Sequence, residues 1–318
     1  MPVALVTGVT GQDGSYLAEQ LLGEGWEVHA LVREGRHESA PADQVVVHRG
    51  DLSDVDRLAE VVRESAPDTV FNLAGISSVA YSWQHPAETA ALTGVAATAL
   101  LEAAWQLQEV RGSSVRFVQA SSSEIFGAAV DQPQTEATPI APASPYGAAK
   151  AFAHHMVGLY RSRGLFASNA ILYNHESLRR PEAFVTRKIT MGVAAVAAGR
   201  QKTISLGNLD AQRDWGWAPD YVEALRLIGA ADAPDDFIVA TGETHSVRDF
   251  VRVAFQAVGI DDWEARVELD PRFARPNDSA VMRGDSSKLR TELGWAPRHD
   301  FESIVSDMVR HDLTLLQG

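Results

Sequence analysis

Short apolar runs alternate with helix-patterned stretches along the first half of this chain, and that alternation restricts the fold more than any other feature. Residues 3–7, 27–32, 45–48, 69–73, 115–120 and 166–172 are runs of strand length dominated by apolar side chains. Between them lie stretches with apolar residues at helical spacing, such as 15–22, 53–65 and 86–107. Strands buried on both faces read as continuous apolar runs, and parallel neighbours need a crossover connection, usually a helix. The rhythm predicts an α/β chain with a doubly wound parallel sheet. It stops after Tyr173. Residues 1–172 are therefore expected to form the sheet unit. Residues 173–318 form mainly a smaller lobe over the sheet's C-terminal edge, and the chain returns to the sheet around 211–242. A ligand would lie in the crevice between the two parts.

The first strand runs directly into Gly8-Val9-Thr10-Gly11-Gln12-Asp13-Gly14 and then a helix. Strand, glycine turn and helix is the context a dinucleotide fingerprint requires. Glycines permit the tight turn and let the backbone approach a pyrophosphate, which sits on the helix N-terminus. The G-x-x-G-x-x-G spacing is one residue longer between its first two glycines than the commonest form. Gly8, Thr10, Gly11, Gln12, Asp13 and Gly14 are the expected cofactor contacts, and the sheet unit is expected to be a Rossmann domain. At the end of the second strand a carboxylate would grip the ribose hydroxyl of NAD, and an arginine the 2′-phosphate of NADP. This chain has Arg33 there, followed by Glu34. NADP is the expected cofactor, with NAD as the alternative. Asp51, followed by Leu52, would meet the adenine amino group or cap the helix beginning near Ser53. Leu73 ends the fourth strand, and Ala74 and Gly75 follow it, small residues where backbone would lie against the cofactor.

Composition excludes several classes. The chain has 318 residues, 45% hydrophobic and 22% charged, as expected of a globular protein with a sizeable core. No cysteine is present, so disulfides, thiol nucleophiles and cysteine metal sites are ruled out, and no metal site is expected. A net charge of −14 argues against nucleic acid or an anionic membrane as partner. No charged region precedes the first apolar run, and no run reads as long enough to span a bilayer, so a cytoplasmic protein is expected.

Chemistry concentrates at the end of the fifth strand and on the helix that follows. Ser121-Ser122-Ser123-Glu124 places a serine and a carboxylate at a strand end that faces the crevice. Ser144-Pro145-Tyr146-Gly147-Ala148-Ala149-Lys150 begins the next helix. Tyr146 and Lys150, four apart, share one face. A free phenol titrates at roughly 10 and is a poor base at neutral pH. A neighbouring ammonium is expected to lower that value, making a base for an alcohol proton. A lone Tyr-x-x-x-Lys is common and fits an ordinary amphipathic helix with a surface lysine equally well. Its company, a glycine turn and a Ser/Glu strand end, gives it meaning.

Together these motifs resemble the extended short-chain dehydrogenase/reductase superfamily. The resemblance extends to the GDP-mannose 4,6-dehydratase family. It rests on the stretch from Gly8 to Leu17, on Asn174-His175-Glu176-Ser177 and Phe184-Val185-Thr186-Arg187-Lys188-Ile189, and on Leu206-Gly207-Asn208-Leu209-Asp210. Arg213-Asp214-Trp215-Gly216, Ala240-Thr241-Gly242-Glu243 and Leu293-Gly294-Trp295 complete it. The family implies that Tyr146 is the base, assisted by Lys150, with Ser122 and Glu124 completing the catalytic group. It implies cofactor contacts at Ser77, Tyr146, Lys150, His175 and Arg180, and nucleotide-sugar contacts at Ser82, Asn174, Val185, Lys188, Gly207, Arg213, Arg275 and Asp278. The reaction implied is loss of water from a nucleotide hexose, GDP-mannose first, through internal hydride transfer by a tightly held NADP. A homodimer or homotetramer is the implied assembly. The chain departs from the family pattern at Arg33-Glu34-Gly35-Arg36, at Ser177-Leu178-Arg179-Arg180-Pro181 and at Arg275-Pro276-Asn277-Asp278.

Two other readings stay open at this stage. An epimerase, decarboxylase or 4-keto-sugar reductase of the superfamily also uses Tyr-x-x-x-Lys, although a simple epimerase or reductase has no need of a C5 base such as Glu124. A non-catalytic dinucleotide sensor on the same fold is disfavoured by the intact Tyr146, Lys150, Ser122 and Glu124 set.

Overall fold

The computed structural model describes residues 1–34, 44–127, 132–271 and 281–317. β1 (Val3–Thr7), β2 (Glu27–Val32), β3 (Val45–Arg49), β4 (Thr69–Asn72), β5 (Arg116–Ser122) and β6 (Phe166–Leu172) occupy the six apolar runs. One boundary matters for the site. β5 extends to Ser122, so Ser121 and Ser122 are strand residues rather than the loop beyond it. Helix α1 (Gln12–Gly23) follows β1, and α2 (Val55–Ser65) follows β3. After β6 come the short strands β7 (Asn174–Glu176), β8 (Ile204–Leu206), β9 (Gln212–Arg213) and β10 (Trp215–Trp217), and then β11 (Asp236–Val239).

Among the described residues the main sheet has seven strands in the order β11-β6-β5-β4-β1-β2-β3, and every ladder in it is parallel. The expected doubly wound α/β fold is borne out. β11 pairs with β6, bringing the chain back into the sheet. Strand order reverses between β1 and β4, so their C-terminal ends diverge and open a crevice there. Thr7 secures both lips. Its hydroxyl donates to Asn72 Oδ1 (2.7 Å) and accepts from the amides of Leu73 (3.2 Å) and Ala74 (3.1 Å).

Between β4 and β5 run α3 (Val79–Gln84), α4 (Pro86–Thr89) and α5 (Ala96–Arg111). A π-turn over Ala90–Val95 joins α4 and α5, so the single helix expected from 86 to 107 carries a bulge. The bulge aims Thr93 at the β4 loop, where its Oγ1 accepts from the Ile76 amide (3.1 Å). The segment Pro86–Arg111, 26 residues, is long and apolar enough by length and composition to cross a membrane, which amends the expectation that no such run exists. In the fold Leu100, Leu101, Ala103 and Ala104 sit in one buried cluster with Leu58 and Val62 of α2 and Phe117 of β5. Each fully buried leucine there is worth roughly 1.5–3 kcal/mol.

α6 (Pro145–Ser162) begins with Pro145 at its first position and Ser144 as N-cap, accepting from the Gly147 amide (3.0 Å). Such a cap contributes about 1 kcal/mol and fixes where Tyr146 starts the helix. α7 (Val185–Ala197) and α8 (Ala218–Ala230) precede β11. β12 (His245–Ser246), α9 (Val247–Gln256), β13 (Val267–Leu269), β14 (Val281–Met282), α10 (Ser287–Leu293) and α11 (Phe301–Gln317) complete the chain. α7, α9 and α11 enclose a second core around Ile189, Phe250, Phe255, Ile304 and Met308. Short ladders, β7 with β10, β8 with β13, and β9 between β12 and β14, tie this lobe together.

Candidate active site

The glycine turn stands at the β1 lip of the crevice. Gly8 has φ +76°, and a Cβ there would lie 2.9 Å from the Ala74 amide nitrogen; a Cβ on Gly14 would lie 2.2 Å from the Gly8 carbonyl oxygen. The turn therefore presents bare backbone on one side and packs without clearance on the other. Gly11 caps α1 without any side-chain acceptor, which leaves the first amides of the helix available. Uncapped helix amides beside bare backbone match the needs of a diphosphate. A dinucleotide fits the donors present.

Other expected cofactor residues fall around the same crevice. Leu73, Ala74 and Gly75 form the opposite lip and are half-buried, and Ser77 beyond them is exposed. Arg33 is exposed at the end of β2, and its charge helps lower the Asp51 carboxyl. Asp51 does not cap the helix. Its Oδ1 accepts from the amide (2.9 Å) and hydroxyl (2.7 Å) of Ser53, and these bonds do most to hold its pKa below the ordinary value. The cap is Asp54, accepting from the Arg57 amide (3.0 Å), and the helix starts at Val55 rather than near Ser53. Leu52 is half-buried beside Asp51.

Ser122, Glu124, Tyr146 and Lys150 converge. Ser122 hydrogen-bonds the Tyr146 hydroxyl, and its Oγ also accepts from the Glu124 amide (3.2 Å). Glu124 is half-buried in a short 3-10 turn that continues β5. Lys150 Nζ donates to the Ala120 carbonyl (2.7 Å) and lies 5.9 Å from the centroid of the Tyr146 ring. Tyr146 and Lys150 are 9% and 6% exposed, so both polar ends are removed from bulk water.

The electrostatics correct one expectation. Lys150 does not pull the Tyr146 phenol below its usual value. Burial pushes Tyr146 up to about 12 and Glu124 adds to the rise, against the Ser122 hydrogen bond and the Arg180 charge. Burial likewise lowers Lys150 to about 8, opposed by Asp13. Desolvation of both groups outweighs their mutual effect. Without ligands the phenol is therefore protonated around neutral pH.

Ser82 lies beneath the start of α6. It is fully buried; its hydroxyl donates to the Val79 carbonyl (2.7 Å) and accepts from the Tyr146 amide (3.1 Å). It supports the first turn of α6 at Tyr146.

His175 and Arg180 flank the catalytic group. His175 Nε2 meets Asp13 Oδ2 (2.9 Å) and Nδ1 meets the Tyr173 carbonyl (2.7 Å). With an acceptor at each ring nitrogen both carry hydrogen. Burial alone would lower the His175 pKa, but the Asp13 charge and hydrogen bond raise it above the ordinary value. Arg180 Nε lies 3.0 Å from Glu176 Oε2, and its guanidinium covers the Phe184 ring at 3.7 Å. Glu176 is fully buried and accepts from Thr186 Oγ1 (2.6 Å); burial raises its pKa against the pull of Arg180. Within the motif it is the carboxylate that holds Arg180, a role that spacing alone does not disclose.

In the lobe, Asn174 lies on β7 beside Trp215, Val185 opens α7, and Gly207 follows β8; all three are half-buried. Burial lowers the Lys188 pKa, with Asp270 opposing. Arg213 is 7% exposed, and its Nη1 donates to the Gln212 carbonyl (2.8 Å). The neighbouring Asp214, which the motif contains but chemistry did not single out, accepts from the Thr241 amide (2.8 Å) and hydroxyl (2.7 Å) and from the Gly242 amide (2.9 Å). Burial still pushes it up to about 6. It clamps β9, and with it Arg213, to the loop after β11. Arg275 and Asp278 lie outside the described residues, as does Arg36. A cavity of about 460 Å³ lined by Thr241, Gly242, Arg283, Ser286 and Arg290 includes none of the catalytic residues.

Comparison with known proteins decides the family. The sequence profile described as GDP-mannose 4,6 dehydratase matches residues 5–308. The chain belongs to the GDP-mannose 4,6-dehydratase family. It is 44% identical over 327 aligned positions to GDP-mannose 4,6 dehydratase 1 of Arabidopsis thaliana, covering 98% of this chain and 90% of that one. It is 42% identical to GDP-mannose 4,6-dehydratase of Sinorhizobium fredii (strain HH103), covering 99% and 98%. Among solved structures, UDP-glucose 4-epimerase of Thermus thermophilus in complex with NAD superposes with a TM-score of 0.84 at 27% identity, covering 98% of both chains. The family resemblance and the fold expected from the motifs are thus both borne out.

Proposed function

We propose that this chain is a nucleotide-sugar 4,6-dehydratase that converts GDP-mannose to GDP-4-keto-6-deoxy-mannose. The observation that carries the reading is the single cluster formed by Tyr146, Ser122 and Glu124, in a chain of this family. A nicotinamide dinucleotide, when bound, supplies oxidation at C4 and the matching reduction at C6. Gly8, Thr10, Gly11, Gln12, Asp13 and Gly14 hold its diphosphate; Leu73, Ala74, Gly75, His175 and Arg180 line the remainder. Tyr146 takes the C4 hydroxyl proton, which Ser122 relays. Once C4 is a ketone the C5 proton is acidic, and Glu124 removes it. Water then leaves from C6 with one of the two protons, given by Ser122 or Glu124, and the other is returned to C5 as C6 is reduced. Each such group contributes roughly 10²–10⁴-fold. Asn174, Lys188 and Arg213 hold the nucleotide sugar, the cations at its diphosphate.

The test is mass spectrometry of a panel of nucleotide hexoses incubated with the protein as isolated and no added cofactor. Loss of one water from GDP-mannose is expected. Consumption only with stoichiometric NADPH would identify a reductase instead.

The dinucleotide is NADP on this reading, because Arg33 stands at the end of β2 where a 2′-phosphate would lie. Arg33→Ala is expected to weaken NADP by about tenfold, the scale of one charge-assisted contact, and NAD hardly at all. Equal affinities for the two dinucleotides before and after the change would make Arg33 an ordinary loop residue.

A further inference from the structure

A 4,6-dehydratase uses the same dinucleotide to oxidise C4 and to reduce C6, so a cofactor that escapes between the two leaves the reaction half done. The structure carries a feature suited to that demand. Gln12, Ser15, Tyr16 and Glu19 stand at i, i+3, i+4 and i+7 on α1 and so form one stripe down the helix that opens at the glycine turn. Facing the stripe is the segment that follows β6. Gln12 Nε2 donates to the His175 carbonyl (3.2 Å), and Ser177 Oγ donates to Gln12 Oε1 (2.8 Å), so both ends of that amide are engaged. Ser177 Oγ also accepts from the Arg179 amide (3.0 Å), joining the two halves of the seam. Arg179 Nη1 donates to Ser15 Oγ (3.0 Å), Nη2 donates to both oxygens of Glu19 (2.8 and 3.1 Å), and the guanidinium lies 4.0 Å above the Tyr16 ring. Gln12 and Ser177 are buried, so the bonds they make to each other and to the His175 carbonyl are shielded from water, while the Arg179–Glu19 pair is exposed.

We propose that this seam is a latch that retains the dinucleotide, and that Ser177 and Arg179 are positioning residues which slow its dissociation by holding residues 175–179 against α1. The proposal rests on the dehydratase reading for its purpose. Its mechanism needs only that a diphosphate sits at the start of α1: the segment fastened across that helix then closes the way out, and departure requires the seam to part.

The experiment measures the dissociation rate of NADP from the loaded, full-length protein by dilution into excess unlabelled dinucleotide, with no sugar nucleotide present. Ser177→Ala/Arg179→Ala is expected to raise the rate roughly ten- to hundredfold, the scale of two or three net hydrogen bonds. Glu19→Ala, which removes the exposed partner of the same ion pair, is expected to raise it less and to add nothing in an Arg179→Ala background. Arg179→Lys, which keeps a charge for Glu19, is expected to recover part of the loss. Arg248→Ala serves as control, because Arg248 pairs with Asp210 entirely within the lobe (3.0 Å). An unchanged rate in the double variant overturns the latch. So does an equal rise in Arg248→Ala, which would mean general loosening. If the double variant does not fold, Glu19→Ala carries the test on the same terms. A protein that held NADP through this seam yet removed no water from GDP-mannose would refute the dehydratase reading and leave the latch standing.

Discussion

Tyr146→Phe is expected to lower turnover by about two to four orders of magnitude, the range of one lost general acid–base group, while cofactor binding stays close to that of the parent. The ring is retained, and its place in the helix is fixed by contacts that do not involve the hydroxyl. Ser144 caps the helix, and the Tyr146 amide rests on Ser82. What the variant loses is the hydrogen bond to Ser122 and the oxygen that would meet the C4 hydroxyl. The lost bond leaves the buried Ser122 hydroxyl without that partner and costs about 1–3 kcal/mol of stability. A fall in turnover far larger than that loss of stability explains, with the protein still folded, is thus the signature. Single-turnover kinetics on GDP-mannose measure it, and a rate within a few-fold of the parent would remove Tyr146 from the mechanism.

The pKa directions sharpen this expectation. Burial holds Tyr146 at about 12 and Lys150 at about 8 in the protein without its ligands. On the proposed reading a phenol protonated before ligands bind must give up its own proton to act as base, and Ser122 is its hydrogen-bond partner. Ser122 therefore has a stronger claim to the proton path than its place in a serine-rich stretch suggests.

Parts of this picture are legible in the residues and parts are not, for physical reasons. The six strands of the first half can be read because each is buried on both faces and long enough to show as an apolar run. β11, though within the region where a return to the sheet is expected, is a four-residue strand at the sheet edge. The lobe ladders have two or three residues per strand, too few for any period to register. The proposed catalytic group is legible because Tyr146 and Lys150 are related by helix geometry and Ser122 and Glu124 by a strand end. The place of Ser82 is not, because its partner lies 64 residues away. The union of Asp13 with His175 spans 162 residues, and no local pattern encodes it. Asp51 and Asp54 are hard to tell apart because both are acidic residues before a helix, and only backbone geometry decides which one caps it.

Glu124→Gln is expected to separate the reaction into its halves. Hydride leaves C4 before anything happens at C5, because the C5 proton is not acidic until C4 is a ketone. Removing the carboxylate should spare the first half and block the second. The structure strengthens the first part of that claim. The Glu124 charge is one of the influences that raise Tyr146, so a neutral amide eases loss of the phenol proton and does not hinder C4 oxidation. Glutamine keeps the length of the side chain, and the Glu124 amide bond to Ser122 comes from the backbone, so the turn that continues β5 is retained. Loaded with dinucleotide and GDP-mannose, the variant should show reduced nicotinamide in the near ultraviolet and 4-keto-6-deoxy product formed about 10²–10⁴-fold more slowly than by the parent. Washing in of deuterium at C5 should fall by a similar factor. A simple C4 epimerase or a 4-keto reductase shows no such division, since neither acts at C5. Product formation at close to the parental rate would take the C5 step away from Glu124, and no other described carboxylate stands at that strand end to receive it.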